Sequence, residues 1–186
     1  MAVSHAIRPV NIDESVRSGE PPAEYVYRLA RAKAEALWER LDPAERLPVL
    51  GADTTVALGQ DILGKPASAG ELLTMLRRLS GQTHQVYTGV ALRSERGTGL
   101  RLSVSDVTFR ALNDDEIVAY WDTGEPADKA GGYAVQGRAA TFIERIHGSY
   151  SGIVGLPVFE TAQLLNEIGW QAFEIGNARQ QGGTAR

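Results

Sequence analysis

Apolar and polar residues recur along this chain with two periods, one close to 3.6 residues and one close to 2. After Pro21-Pro22, the positions Tyr25, Leu29, Ala32, Ala36, Leu37 and Arg40 follow helical spacing and predict an amphipathic helix that ends before Asp42-Pro43. An apolar strand is expected over 47–52, continuing through 54–58 to a turn at Gly59-Gln60-Asp61, after which Ile62 and Leu63 resume it. Ser68 and Glu71 form a capping-box pattern ahead of Leu72, Leu73, Met75, Leu76 and Leu79, and Gly81 is placed to stop that helix. Residues 85–92 and 101–111 read as a strand pair. Asn113 with Glu116 opens a helix carrying Ile117, Val118, Tyr120 and Trp121, which leaves at Gly124-Glu125-Pro126. Short strands are expected over 133–135 and 140–143, with a closing helix over 159–168. No repeat or biased linker divides the chain, so the pattern predicts a mixed sheet flanked by helices, in one α/β domain over 1–175 with a polar, mobile tail over 176–186.

The chain has 186 residues, 43% hydrophobic and 23% charged, which is the make-up of a folded enzyme with a substantial core. Its formal net charge of −4 argues against a general nucleic-acid binder, although a few clustered lysines could still hold a small anion. Cysteine is absent, so thiolate metal sites, disulfides and cysteine nucleophiles are excluded. The first residues form no secretory apolar run, and no stretch approaches the roughly 20 apolar residues that span a bilayer, so a cytoplasmic protein without a membrane partner is expected. His5, His84 and His147 are too scattered for a local metal motif and read as packing or surface residues.

Candidate chemistry concentrates in residues 49–66. With Gly59 and Gln60 as a two-residue hairpin loop, Leu58 faces Asp61 and Thr54 faces Lys65, which makes Asp53 a near neighbour of Lys65. A carboxylate beside a lysine suits phosphate chemistry: the acid can accept a proton from water or hold a metal, and the ammonium neutralises phosphate oxygens. A solvated surface ion pair is the competing reading. Residues 59–66 also spell Gly-x-x-x-x-Gly-Lys-Pro, one residue from a phosphate loop. The final Pro lacks the hydroxyl and the N–H that such a loop needs, and strand-like residues fall where the helix should begin. Asp13 and Glu14 could catch a hard divalent cation, and Gln136 among Gly131, Gly132 and Gly137 could read a base edge; each also has a bland reading, as a solvated turn or a satisfied backbone.

Taken in order, Ile-Asp-Glu-Ser (12–15), Arg-Leu-Ala-x-Ala-Lys-Ala (28–34), Gly-Ala-Asp-Thr (51–54), Ile-Leu-Gly-Lys-Pro (62–66), Leu-Ser-Gly-x-x-His (79–84), Gly-Glu-Pro-x-Asp-Lys-Ala-Gly (124–131), Val-Gln-Gly (135–137) and Gly-Ser-Tyr-Ser-x-x-Val-Gly-Leu-Pro (148–157) resemble the Maf family of nucleotide pyrophosphatases. The resemblance implies an inosine-triphosphatase-like α/β fold, an elongated mixed sheet with a cleft between two lobes. It also implies hydrolysis of a nucleoside triphosphate to the monophosphate and pyrophosphate, assisted by a divalent cation, Mg²⁺ or Mn²⁺. It assigns the proton acceptor to Asp53, phosphate contacts to Lys33 and Lys65, the metal to Glu14 together with Asp53, and base preference to Thr54 and Gln136. The Val-Gln-Gly and Asp-Lys-Ala-Gly forms resemble the UTP and dTTP subgroup. A methylated guanine nucleotide and a non-catalytic role in septum formation are the alternatives, and a homodimer is an open assembly state. Members of the family also carry a first strand and a Ser-x-Ser-Pro-Arg-Arg loop that has no counterpart in these residues, from which either an upstream start or a degraded relative is expected.

Overall fold

The computed structural model describes residues 3–171. A first helix, α1 (Pro22–Arg40), is followed by strands β1 (Val49–Leu58) and β2 (Asp61–Leu63), helix α2 (Ala69–Leu79), strands β3 (Thr83–Ser94) and β4 (Gly97–Phe109), and helix α3 (Asp114–Trp121). After several 3₁₀ turns come β5 (Ile143–His147), the short helix α4 (Tyr150–Val154) and α5 (Val158–Glu167). The strands form one sheet in the order β2-β1-β3-β4-β5, and every pairing is antiparallel. This is the expected α/β arrangement of helices on a sheet, but the parallel component of a mixed sheet is not among the described strands.

Local chemistry accounts for most element boundaries. The Ser68 side chain accepts from the Glu71 N–H at the start of α2, and Asn113 with Glu116 makes a reciprocal capping box at the start of α3. Gly59, at φ 64°, makes the two-residue turn, and Leu58 pairs with Asp61 as the sequence predicts. In α1 the buried stripe is Val26, Ala30, Ala34 and Trp38, with Leu29 beside it, so the face anticipated from Tyr25, Ala32 and Ala36 is rotated by about one position. Residues 133–135 are not a strand. Tyr133, Ala134 and Val135 go directly into the core from irregular backbone after two left-handed glycines, Gly131 and Gly132. The fifth strand lies at Ile143–His147 rather than 140–143, because Phe142 ends a 3₁₀ turn and packs in an aromatic group with Phe109 and Tyr120. The anticipated tail over 176–186 lies outside the described residues.

The core separates into centres at opposite ends of the long strands. The largest joins Val56, Leu63, Val86 and Val107 to Leu72, Leu76 and Leu79 of α2 and to Ile117 and Tyr120 of α3. At the other end, Ala30, Ala34 and Trp38 of α1 cover Val49 and Ala91, and Leu164 of α5 covers Val90 and Leu92. Asp53 pairs with Gly89, and Thr54 with Thr88, in the stretch of sheet between the two centres. Among the described residues no helix is long and apolar enough to cross a membrane.

Candidate active site

Two glycines place the first helix against the sheet. A Cβ on Gly51 would lie 2.4 Å from the Ala30 carbonyl oxygen, and one on Gly89 would lie 2.6 Å from that of Val26. Neither position can carry a side chain, so the α1 backbone rests almost directly on β1 and β3. Because Asp53 is the cross-strand partner of Gly89, its carboxylate projects from the same face as the helix. There it meets Lys33, whose Nζ lies 2.7 Å from Asp53 Oδ1 and 2.7 Å from Glu14 Oε1. One ammonium thus joins two carboxylates.

The segment that supplies Glu14 is strapped to α1 by three side chains. The Tyr25 hydroxyl donates to the Glu14 carbonyl, Arg28 Nη2 donates to the Ser15 carbonyl, and Arg28 grips both oxygens of Glu20. That fork holds the Glu20 carboxyl at about 2, well below its usual range. Nothing in the local sequence marks Tyr25 or Arg28 as supports of the site; the signal is their spacing, which puts both on the helix face toward the strap. An open groove of about 300 Å³ runs beside this group, lined by Arg8, Glu14, Lys33, Leu37 and residues 49–52. Arg8 was not singled out from the sequence. The groove follows β1 over 49–52, where among the described residues no ladder forms on the side away from β3.

Burial sets the electrostatics. Asp53 exposes 10% of its side chain, Lys33 24% and Glu14 45%. Burial, with a smaller contribution from the Glu14 charge, pushes the Asp53 carboxyl above the usual carboxylate range, against the opposing pull of Lys33 and Lys65. Burial also works against the Lys33 charge, but the bonds to Asp53 and Glu14 outweigh it and hold the ammonium above its ordinary value. The Lys33 bond holds Glu14 below the ordinary carboxylate value. The group therefore combines a buried acid of raised basicity with a cation that stays charged.

Lys65 is exposed and bonds neither acid, although its charge acts on Glu14, Asp53 and Asp128. The ladder expected to bring it opposite Thr54 stops at Leu63. Beyond it the Gly64 carbonyl is taken by the Gly131 N–H, and Pro66 has no N–H to pair. Thr54 pairs with Thr88 instead and points to the sheet face opposite Asp53, as adjacent strand residues must. Gln136 is exposed on the turn between buried Val135 and Ala139, and no hydrogen bond links it to the acid–lysine group. The structure thus brings Glu14, Lys33 and Asp53 into contact and Lys65 within electrostatic reach, while Thr54 and Gln136 stand apart from them. His84 is fully buried, with Nε2 2.8 Å from the Tyr133 hydroxyl, and takes no part.

The Maf-like protein family matches residues 1–168 of the chain. It is 53% identical over 164 residues to the dTTP/UTP pyrophosphatase of Hahella chejuensis, an alignment covering 88% of this chain and 82% of that protein. It is 55% identical over 168 residues to the dTTP/UTP pyrophosphatase of Nitrosomonas europaea, covering 89% and 81%, and 54% identical over 171 residues to that of Alkalilimnicola ehrlichii, covering 90% and 84%. With the family matched over nearly the whole chain and the acid–lysine group in place, this protein belongs to the Maf family.

Proposed function

We propose that this chain is a cytoplasmic nucleoside triphosphate pyrophosphatase that converts UTP and dTTP, and modified pyrimidine nucleotides, to the monophosphate and pyrophosphate. The observation that carries the reading is the Glu14–Lys33–Asp53 group, in which a buried carboxylate of raised pKa sits 2.7 Å from a lysine beside an open groove. The names of the relatives supply the choice of pyrimidine over a methylated guanine nucleotide.

In this mechanism Asp53 accepts a proton from water as the water oxygen bonds to the α-phosphorus. The bond from that phosphorus to the bridging oxygen breaks, and pyrophosphate leaves with the electron pair. A raised pKa makes the Asp53 carboxylate a stronger base than an exposed one. Lys33 and Lys65 neutralise charge on the phosphate oxygens; Thr54 and Gln136, which stand apart from the acid–lysine group, take their part in base preference from the family resemblance alone. Glu14 and Asp53 fit a divalent cation, since both are hard oxygen donors gathered on one positive centre. Mg²⁺ and Mn²⁺ are held by one or two carboxylates with water and phosphate completing the shell, which suits a site where the described residues gather no group of three acids or histidines. The cation, when bound, supplies further positive charge at the phosphate oxygens.

The test is pyrophosphate release from UTP, dTTP, CTP and a methylated guanine triphosphate, by wild type and by Asp53→Asn. Wild type turns over UTP and dTTP, and the variant loses about 10²–10⁴-fold in kcat with an unchanged thermal midpoint. Near-normal turnover by Asp53→Asn removes Asp53 from the chemistry. A wild type inactive on every nucleotide favours the septum-formation role.

A further inference from the structure

Glu14 meets Lys33 from a segment that no apolar side chain of its own holds in place. Residues 13–19 are all exposed, and none of them joins the sheet. An exposed ion pair contributes little by itself, and ordering a loop costs conformational entropy at every residue, so the contact between Lys33 Nζ and a carboxylate 45% exposed does not fix the segment. Hydrogen bonds from α1 do. The Tyr25 hydroxyl donates to the Glu14 carbonyl at 2.9 Å. Arg28 Nη2 donates to the Ser15 carbonyl at 3.0 Å and to Glu20 Oε2 at 2.7 Å, while its Nε donates to Glu20 Oε1 at 2.6 Å. One guanidinium therefore ties both ends of the loop 15–20 to the helix. Between them the chain folds on itself, with the Glu20 N–H donating to the Arg17 carbonyl and Gly19 at φ 71°.

The Glu20 end is the firm one. Its side chain is 8% exposed, and a planar fork on both carboxylate oxygens leaves the guanidinium one orientation. In that orientation the second Nη2 hydrogen reaches Ser15, the residue next to Glu14. Both ties, from Tyr25 and from Arg28, end on backbone carbonyls of residues 14 and 15 and not on the Glu14 carboxylate, so they set where Glu14 stands without occupying the oxygens it offers. We propose that Arg28 and Tyr25 are positioning residues for the reaction, which act by holding the Glu14 carboxylate against Lys33 at the wall of the groove. The inference rests on the pyrophosphatase reading and adds to it two residues that the chemical step itself does not use.

The experiment measures kcat/KM on UTP for wild type, Arg28→Gln, Tyr25→Phe and Glu14→Gln, and for each of the first two changes combined with Glu14→Gln, with a thermal melt of every protein. Arg28→Gln lowers kcat/KM about tenfold and Tyr25→Phe about fivefold, the losses expected for a charge-assisted and an ordinary hydrogen bond. With Glu14→Gln already present, neither change lowers it by more than about twofold, because no carboxylate is left to position. A role in stability alone makes the losses equal in the two backgrounds. Trypsin cleavage after the exposed Arg17 speeds up severalfold in both single variants, while the melting midpoint of Tyr25→Phe stays at the wild-type value. Where Arg28→Gln fails to fold for want of a partner to Glu20, Tyr25→Phe, which removes only a hydroxyl, carries the test alone. Three results each overturn the inference and leave the pyrophosphatase reading standing: losses that add in full to that of Glu14→Gln, cleavage after Arg17 at the wild-type rate, or an active wild type that Glu14→Gln does not slow. A wild type that does not hydrolyse UTP overturns both.

Discussion

Replacing Lys33 with Met separates two things this residue does in the proposed mechanism. Its Nζ lies 2.7 Å from both Asp53 and Glu14, and it is one of the influences that lower the Asp53 carboxyl against the effect of burial. With the ammonium gone, burial and the Glu14 charge act on Asp53 unopposed except by Lys65. The acid limb of the kcat/KM profile, which reports the proton acceptor of the free enzyme, therefore moves to higher pH. On the alkaline plateau Asp53 is ionised in both proteins, and what is lost there is the contact to phosphate. A charge-assisted hydrogen bond contributes about 1.5–3 kcal/mol, so the plateau falls roughly 10- to 150-fold. Lys33→Arg keeps the charge and holds the acid limb near its wild-type position, while the altered geometry still lowers turnover. The assay is pyrophosphate release from UTP over pH 5–9, with a thermal melt at each pH to show that the protein is folded. An acid limb that stays in place, or moves to lower pH, refutes the coupling between Lys33 and Asp53. A plateau equal to wild type returns Lys33 to a structural ion pair.

Lys65→Ala raises KM and lowers kcat, since its exposed charge meets phosphate in both ground and transition states; an unchanged kcat/KM makes it a bystander. A chelator abolishes activity and added Mg²⁺ or Mn²⁺ restores it, whereas full activity in chelator removes the cation from the reaction. Burial lowers the fully buried His84 ring from 6.5 to about 4, so as pH falls the unfolded chain is protonated first. Stability from the neutral ring is complete above pH 6.5, declines through the window down to about 4, and is level below it, a loss of about 3 kcal/mol. Urea unfolding of wild type and His84→Gln from pH 4 to 7 shows the difference as a steeper slope in wild type; parallel slopes refute it.

Much of the fold was readable because its signals are local. The capping pairs Ser68 with Glu71 and Asn113 with Glu116, and the turn at Gly59-Gln60, involve residues within a few positions of each other. Backbone chemistry alone decides such features. Readings failed where a side chain found a better place in three dimensions. Residues 133–135 have the apolar content of a strand, yet the left-handed Gly131 and Gly132 turn them into the core beside α2. The helix face of α1 was displaced because Gly51 and Gly89 admit its backbone along one line, which selects Ala30 and Ala34 for the contact over Ala32 and Ala36.

The candidate site divides in the same way. By itself the sequence marked Asp53, Lys65, Lys33 and Glu14 as the candidate site, through the spacing of residues 49–66 and the order of motifs shared with the Maf family. That Asp53 and Thr54 face opposite sides of the sheet follows from the continuous β1 strand in which both are paired with β3. Only the tertiary structure decided which lysine bonds Asp53. Lys33 is 20 residues away in sequence, and it arrives because two glycines let a helix lie on the sheet, while Lys65 is left beyond the end of its ladder. The ties from Tyr25 and Arg28 to the segment that carries Glu14 likewise exist only once that segment lies on α1. Periodicity and turn chemistry are written in near neighbours, whereas contacts across distant elements depend on how closely whole surfaces can approach, and that is settled when they pack.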